Sequence, residues 1–289
     1  MLFPLLVCLA LAETKPAYAK PTMLVEPAEL MKKDAVERFV ILDVRPRKAY
    51  DAGHIPGAVW ADLGLWDRLM GADVEAGVWS ARIGAVGIDG KKPVAVYSDT
   101  KSREAARAWW ILRHQGVPDV RLVQGDWAGY KKAGGEVETK ANKPKPVEPD
   151  LKPVTDRLLT KDQILAGLKS RKLDQLIDAR SSGEYCGDTK SAKRCGSIPG
   201  AKNLDWTDTL DPKTGRFKPA PEMKKLFEDA GIALDKPTAT YCQSGGRAAV
   251  MAFVVELMTG KPARNYYRSW AEWGNDPDTP IVTPKSKKD

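Results

Sequence analysis

Histidine is scarce in this chain: of 289 residues only His54 and His114 carry an imidazole. Both fall in the first half, so a metal centre has little to draw on and none is expected. The same scarcity argues against a serine hydrolase. Ser98 stands beside Asp99, but no histidine is placed to serve the pair. Long apolar runs are missing too. Leu2 to Ala12 covers 11 residues, too few to cross a bilayer, and no membrane span is expected. Basic charge is in excess, at a formal +8, yet it is dispersed. Lysines gather at Lys131-Lys132, between Lys140 and Lys152, and at Lys285, Lys287 and Lys288. No basic helix face is interleaved with stacking aromatics, so a nucleic-acid partner is not expected. The surplus reads as solvated charge with a modest attraction for small anions.

What is present is a repeat. Tyr97-Ser98-Asp99-Thr100-Lys101-Ser102-Arg103 returns as Tyr241-Cys242-Gln243-Ser244-Gly245-Gly246-Arg247. Leu42-Asp43-Val44-Arg45 returns as Ile177-Asp178-Ala179-Arg180, and Gly53-His54-Ile55-Pro56-Gly57-Ala58 as Gly196-Ser197-Ile198-Pro199-Gly200-Ala201. Gly125-Asp126-Trp127 pairs with Arg268-Ser269-Trp270. The offset grows from 135 residues between Leu42 and Ile177 to 143 or 144 at the other pairs, which places one extra segment between Arg180 and Gly196. Two homologous domains follow. We divide the chain into a leader (1–19), a first domain (20–140), a linker rich in Pro, Lys and Glu (141–155) and a second domain (156–289). Strand-like runs at 38–42, 94–97, 120–123, 175–177 and 238–241 alternate with helical ones at 29–37, 103–115, 160–169 and 248–258. That alternation predicts an α/β fold, with a mostly parallel sheet in each domain and helices on both faces.

In such sheets the reactive groups lie beyond the carboxyl ends of the strands. Cys242 is predicted to lie there, at the mouth of a strand-loop-helix turn, where the first copy has Ser98. A thiol reacts as its thiolate, and the loop offers several ways to favour the anion. Two glycines let the backbone N–H groups of Gln243, Ser244, Gly245 and Gly246 curl toward the sulfur. The helix that follows presents its positive end, and Arg247 adds a permanent charge. The same cradle would hold a second sulfur on Cys242.

The combination Asp-x-Arg, Gly-x-Ile-Pro-Gly-Ala, Cys-x-x-Gly-x-Arg and a closing tryptophan resembles the rhodanese (sulfurtransferase) family over residues 23–283, as a tandem pair. The resemblance implies two rhodanese-like domains, the second catalytic and the first inactive, with no cofactor. Cys242 would take the outer sulfur of a small anionic donor such as thiosulfate. It would then pass that sulfur to cyanide, a thiol or a protein acceptor. Asp178 and Arg180 would brace the loop. Related phosphatases use a longer Cys-to-Arg loop, so sulfur transfer is preferred over phosphate hydrolysis. Gln243 and Ser244 match neither the mercaptopyruvate loop nor the cationic thiosulfate loop of the family. Glu184, near the pocket, would weaken affinity for a dianion. Thiosulfate is the first reading; 3-mercaptopyruvate and a non-enzymatic persulfide carrier are the alternatives.

The apolar run Leu2 to Ala12 is followed by Ala17-Tyr18-Ala19, an A-x-A cleavage signal, with Ala10-Leu11-Ala12 a second candidate site. Cys8 lacks the small neighbour of a lipidated cysteine. An exported, soluble monomer is expected, periplasmic if bacterial. In that setting Cys186 and Cys195, which bracket the extra segment, are expected to form a disulfide worth roughly 2–3 kcal/mol. An intramolecular persulfide relay is the sharper alternative. His54 is expected to be a hydrogen-bonded structural residue, and Trp127 and Trp270 core anchors. Tyr266, Tyr267 and Arg268 border either the cleft or the surface.

Overall fold

The computed structural model describes residues 17–72 and 74–285. Residues 1–16, with Cys8 and the candidate site after Ala12, lie outside the described residues, as do Lys287 and Lys288.

The first domain is built on five parallel strands, β1 (Leu24–Val25), β2 (Val40–Asp43), β3 (Val59–Trp60), β4 (Val94–Tyr97) and β5 (Val120–Val123), in the order β1-β5-β4-β2-β3. Its helices are α1 (Pro27–Leu30), α2 (Ala35–Arg38), α3 (Arg47–Ala52), α4 (Leu63–Gly71), α5 (Ala76–Gly84), α6 (Arg103–His114) and α7 (Asp126–Lys132). The second domain repeats the plan with β6 (Gln175–Asp178), β7 (Lys202–Asn203), β8 (Thr238–Tyr241) and β9 (Arg264–Asn265), ordered β7-β6-β8-β9 and again all parallel. A parallel bridge from Leu158 to Asn265 stands where β1 stands in the first sheet. Its helices are α8 (Lys161–Ser170), α9 (Ser182–Cys186), α10 (Ala220–Asp229), α11 (Gly246–Thr259) and α12 (Ser269–Trp273).

Alternation along the strands decides the layers. Val94 and Val96 of β4 enter one apolar cluster, and Ala95 and Tyr97 enter another on the opposite face. Both faces are therefore covered, which is why β4 and β8 are buried at every position. The cluster holding Val94 also takes in Ile177, Cys242 and most of α11, so one core runs through both domains. α6 and α11 form its seam. Alanines at 105, 106, 108, 248, 249 and 252 are buried there and let the two helices approach closely. Trp109 meets Phe253 edge-on at 5.1 Å, and Trp110 stacks on Tyr267 at 5.0 Å.

Several expectations are adjusted. The helix expected at 29–37 is two short ones. Glu26 and Glu29 form a capping box at the start of α1, which stops at Met31, and α2 restarts after Asp34. Thr160 caps α8 in a capping box with Gln163, as its sequence promises. From Glu138 through the linker (141–155), the chain is held against the first domain by its backbone. Glu138 pairs with His54, Val147 N donates to Gly84 O at 3.1 Å, and Val154 N donates to His114 O at 2.7 Å.

Candidate active site

Cys242 follows β8 directly and is only 1% exposed. Gly245 then takes a left-handed φ of 83°, and α11 begins at Gly246. A side chain on Gly245 would meet the Tyr267 carbonyl at 2.7 Å, so the turn needs glycine on both counts. The carbonyl oxygens of the loop are tied behind it. Cys242 O accepts from Trp270 N and Gln243 O from Ala271 N, both at 2.9 Å, and Gly245 O accepts from Asn265 Nδ2 at 3.2 Å. Cys242 N donates to Ser269 Oγ at 3.1 Å, and that hydroxyl donates to Tyr266 O. Among the described residues none accepts from the backbone N–H groups of Gln243 to Gly246. The turn thus keeps a set of free donors at the positive end of a 14-residue helix, the arrangement that binds anions.

Asp178 ends β6, the strand beside β8, and Arg180 follows it by two residues. Arg180 Nε donates to both carboxylate oxygens of Asp178 at 2.9 and 3.1 Å, and its Nη2 reaches Asp178 at 2.5 Å and Gly196 O at 2.7 Å. The guanidinium lies over Trp270 at 4.4 Å and Tyr241 at 5.5 Å. The first domain repeats the device with Asp43, Arg45, Gly53, Tyr97 and Trp127. The pair therefore ties the β6 end to the Gly196–Ala201 turn in one copy and β2 to Gly53–Ala58 in the other.

Arg247 is less free than the sequence implies. It forms a two-pronged pair with Glu184, Nη1 to Oε2 at 2.6 Å and Nη2 to Oε1 at 2.9 Å. Burial alone would raise the Glu184 carboxyl, but Arg247 and Ser181 outweigh it and hold the group below the usual glutamate range. Burial works against the Arg247 charge, and Glu184 together with the nearby Cys242 more than restores it. Gln243 Nε2 donates to Ser191 O at 2.8 Å, which fastens the extra segment to the Cys242 turn. Ser244 is exposed.

The Cys186–Cys195 disulfide is absent: the three described cysteines are all free thiols. Cys186 is buried at the end of α9, with its sulfur 3.9 Å from Ser182 Oγ. The segment between the two cysteines is anchored by hydrogen bonds instead. Arg194 donates to the carbonyls of Trp273, Asp276, Pro277 and Thr279, and Trp270 Nε1 donates to Arg194 O. His54 has the structural role expected of it, stacked on Tyr50 at 3.8 Å with Nδ1 against Tyr50 O. Trp270 is fully buried, whereas Trp127 is half-buried under Arg45. Tyr266 and Tyr267 are buried, and Tyr267 backs the turn.

Three residues at the site escaped the sequence reading. Ser98 is paired with Asp126, not with the exposed Asp99. Ser269, the counterpart of Asp126, holds the Cys242 turn. Arg107, from the first domain, packs its guanidinium against Gly246, where an added Cβ would stand 2.6 Å from Nη2. The aligned pair Asp126 and Ser269 did carry a signal, as a place where the two copies differ in charge beside a shared tryptophan.

Comparison with known proteins agrees with this architecture. The Rhodanese-like domain model matches residues 26–133 and 160–276. The chain is 31% identical over 281 residues to the sulfur carrier protein TtuD of Thermus thermophilus, covering 92% of this chain and 98% of that one. It is 34% identical over 259 residues to a thiosulfate sulfurtransferase of Corynebacterium glutamicum, covering 83% of each. Among solved structures, the anaerobic ergothioneine biosynthesis enzyme of Chlorobium limicola superimposes with a TM-score of 0.78 at 21% identity, over 91% of this chain and 71% of that one. The two halves, their matched loops and these relatives agree: the chain belongs to the rhodanese family, in its tandem two-domain form.

Proposed function

We propose that the protein is a sulfurtransferase that works through a persulfide on Cys242, with thiosulfate as donor. The Cys242 thiolate attacks the outer sulfur of thiosulfate. A sulfur–sulfur bond forms to the protein, the donor's own sulfur–sulfur bond breaks, and sulfite leaves with the electron pair. Cyanide or an acceptor thiolate then attacks the terminal sulfur, and Cys242 departs as thiolate. The observation that carries this reading is the set of unshared N–H groups from Gln243 to Gly246 around a cysteine at the start of α11. They suit a dangling, negatively charged sulfur.

A second reading has its own support. Glu184 neutralises Arg247 at the site, and a relative named as a sulfur carrier matches nearly the whole chain. Both favour a persulfide handed to a protein over rapid turnover of a dianion. The same pocket also leaves 3-mercaptopyruvate as a competing donor.

Intact-mass measurement after incubation with thiosulfate, and separately with mercaptopyruvate, tests these readings. A gain of one sulfur atom that disappears in Cys242→Ala is expected. No gain from any small donor, with a persulfide on Cys242 after purification, would favour the carrier. We also place the protein outside the cytoplasm on the strength of its leader-like start. Cleavage after Ala12 would preserve the hydrogen bond from Tyr18 Oη to Lys218 O, which cleavage after Ala19 would remove.

A further inference from the structure

The amino-terminal loop follows β4 as the Cys242 loop follows β8, although it turns through Lys101 and Ser102, both at positive φ, where the second loop uses Gly245 alone, and one of its matching N–H groups, that of Ser102, is taken by a carboxylate. Asp126 starts α7 at a left-handed φ of 59°, and Ser269 starts α12 at 54°, so the two side chains enter their loops alike. Ser269 contributes one short hydroxyl. Asp126 contributes a carboxylate, which is fully buried and accepts from Ser98 N at 2.6 Å, Ser98 Oγ at 2.8 Å and Ser102 N at 2.5 Å. The donors that bind it include the N–H at the first turn of α6, which corresponds to Gly246 N in the second domain. Beside it, the Ser102 hydroxyl is buried with no hydrogen-bond partner. A cleft of about 770 Å³ lies elsewhere between the domains, but this loop has its own, of about 630 Å³, lined by Ser98, Thr100, Arg47 and Arg103 and, with the opposite charge, by Asp99 and Glu104. Both the anion-binding groups and a route to them survive.

We propose that the first domain retains a sulfur-anion cradle held shut by Asp126, an internal stand-in for the anion. A small residue at this position, as at Ser269, is then what separates a working loop from a silent one. Loss of the cysteine at position 98 is by itself an insufficient account of the silence. Protonation is consistent with the crowding. Burial raises the Asp126 carboxyl to about 6, against the pull of the Ser98 and Ser102 donors.

The proposal rests on the persulfide reading of Cys242 for its ligand class, but not for its geometry, and two measurements separate them. The first is the rate at which iodoacetamide alkylates the new thiol in Ser98→Cys, compared with Ser98→Cys combined with Asp126→Ser. A carboxylate against the sulfur disfavours thiolate. The double variant is therefore expected to react at least about tenfold faster, equivalent to about one pKa unit. Equal rates overturn the proposal whatever Cys242 does. The second is peptide mapping after thiosulfate, where Cys242 in the same molecule reports that the protein is folded and active. Sulfur on position 98 in the double variant, and little in the single one, supports the proposal. Sulfur on Cys242 with none at position 98 in the double variant overturns it. Sulfur on neither peptide counts against the reading of Cys242, and the alkylation rates then decide for the first domain.

Discussion

Under the proposed persulfide chemistry, Glu184 carries the most consequence of any single side chain beside Cys242, because it decides how much of the Arg247 charge an incoming anion meets. The pair is short and two-pronged, with side chains 20% and 11% exposed, so water screens it only in part. Glu184→Gln keeps the shape and removes the negative charge. The KM for thiosulfate is expected to fall roughly five- to tenfold, corresponding to about 1 kcal/mol of regained attraction. Because Arg247 and Ser181 hold the carboxyl below its ordinary range, Glu184 stays ionised across neutral pH. The ratio of wild-type to variant KM should thus be flat between about pH 6 and about pH 8. A higher KM in the variant would mean that Glu184 serves mainly to aim Arg247. The family resemblance placed Glu184 near the site, but the pairing with Arg247 spans 63 residues, and no local pattern announces such a contact.

At the level of the strand, loop and helix, the Cys242 turn depends on two glycines for different reasons. Gly245 needs its positive φ and also has the Tyr267 carbonyl 2.7 Å from where a Cβ would be. Gly246 has an ordinary helical backbone and is confined only by Arg107. That guanidinium is itself fastened to Asp67 at 2.5 Å and Tyr267 at 3.2 Å. Gly245→Ala should therefore be the more damaging change. Left-handed strain alone costs about 1–2 kcal/mol, and displacement of the turn should remove most persulfide formation. Gly246→Ala should lower thermal stability less and retain measurable activity. Thermal melts together with mass analysis of Cys242 check both, and equal damage would mean that Arg107 is as rigid as backbone. The ends of β4, β5 and β8 were readable because short buried strands announce themselves as apolar runs before a polar loop. The grip of the segment after Gly134 was not. Its hold comes from main-chain hydrogen bonds and from glycines at 84 and 116 that admit the carbonyls of Val147 and Lys152. A composition rich in Pro and Lys says nothing of these. The Cys186–Cys195 bridge failed for a related reason. Spacing makes a bond plausible, whereas Arg194 supplies the restraint through the carbonyls of a distant segment.

Across the whole molecule the two domains behave as one body around α6 and α11, and a buried carboxylate marks the joint. Glu256 on α11 is 2% exposed and gathers cations from three other parts of the chain. Arg157, just before α8, donates at 2.9 and 3.3 Å, Lys20 at 3.2 Å, and Arg113 of α6 lies 3.7 Å away. Burial would raise its carboxyl, but Arg157, Arg113 and Lys20 together bring it below the usual glutamate range. A carboxyl whose folded value is depressed stabilises the fold above its unfolded value, and that contribution is lost as pH falls through the folded one. Removing it leaves Arg157 buried without its partner, a defect of about 3–5 kcal/mol. Glu256→Ala is accordingly expected to be less stable by about that amount in urea at pH 7, and the gap to wild type should narrow as the pH falls below about 4. A gap that persists undiminished in acid would assign the loss to packing at the seam instead of charge. Because the same helix begins at the Cys242 turn, loosening this joint should also slow sulfur loading at Cys242, 14 residues before Glu256 in the chain. Unchanged loading in a destabilised Glu256→Ala would show that the turn holds its shape without the first domain pressed against it.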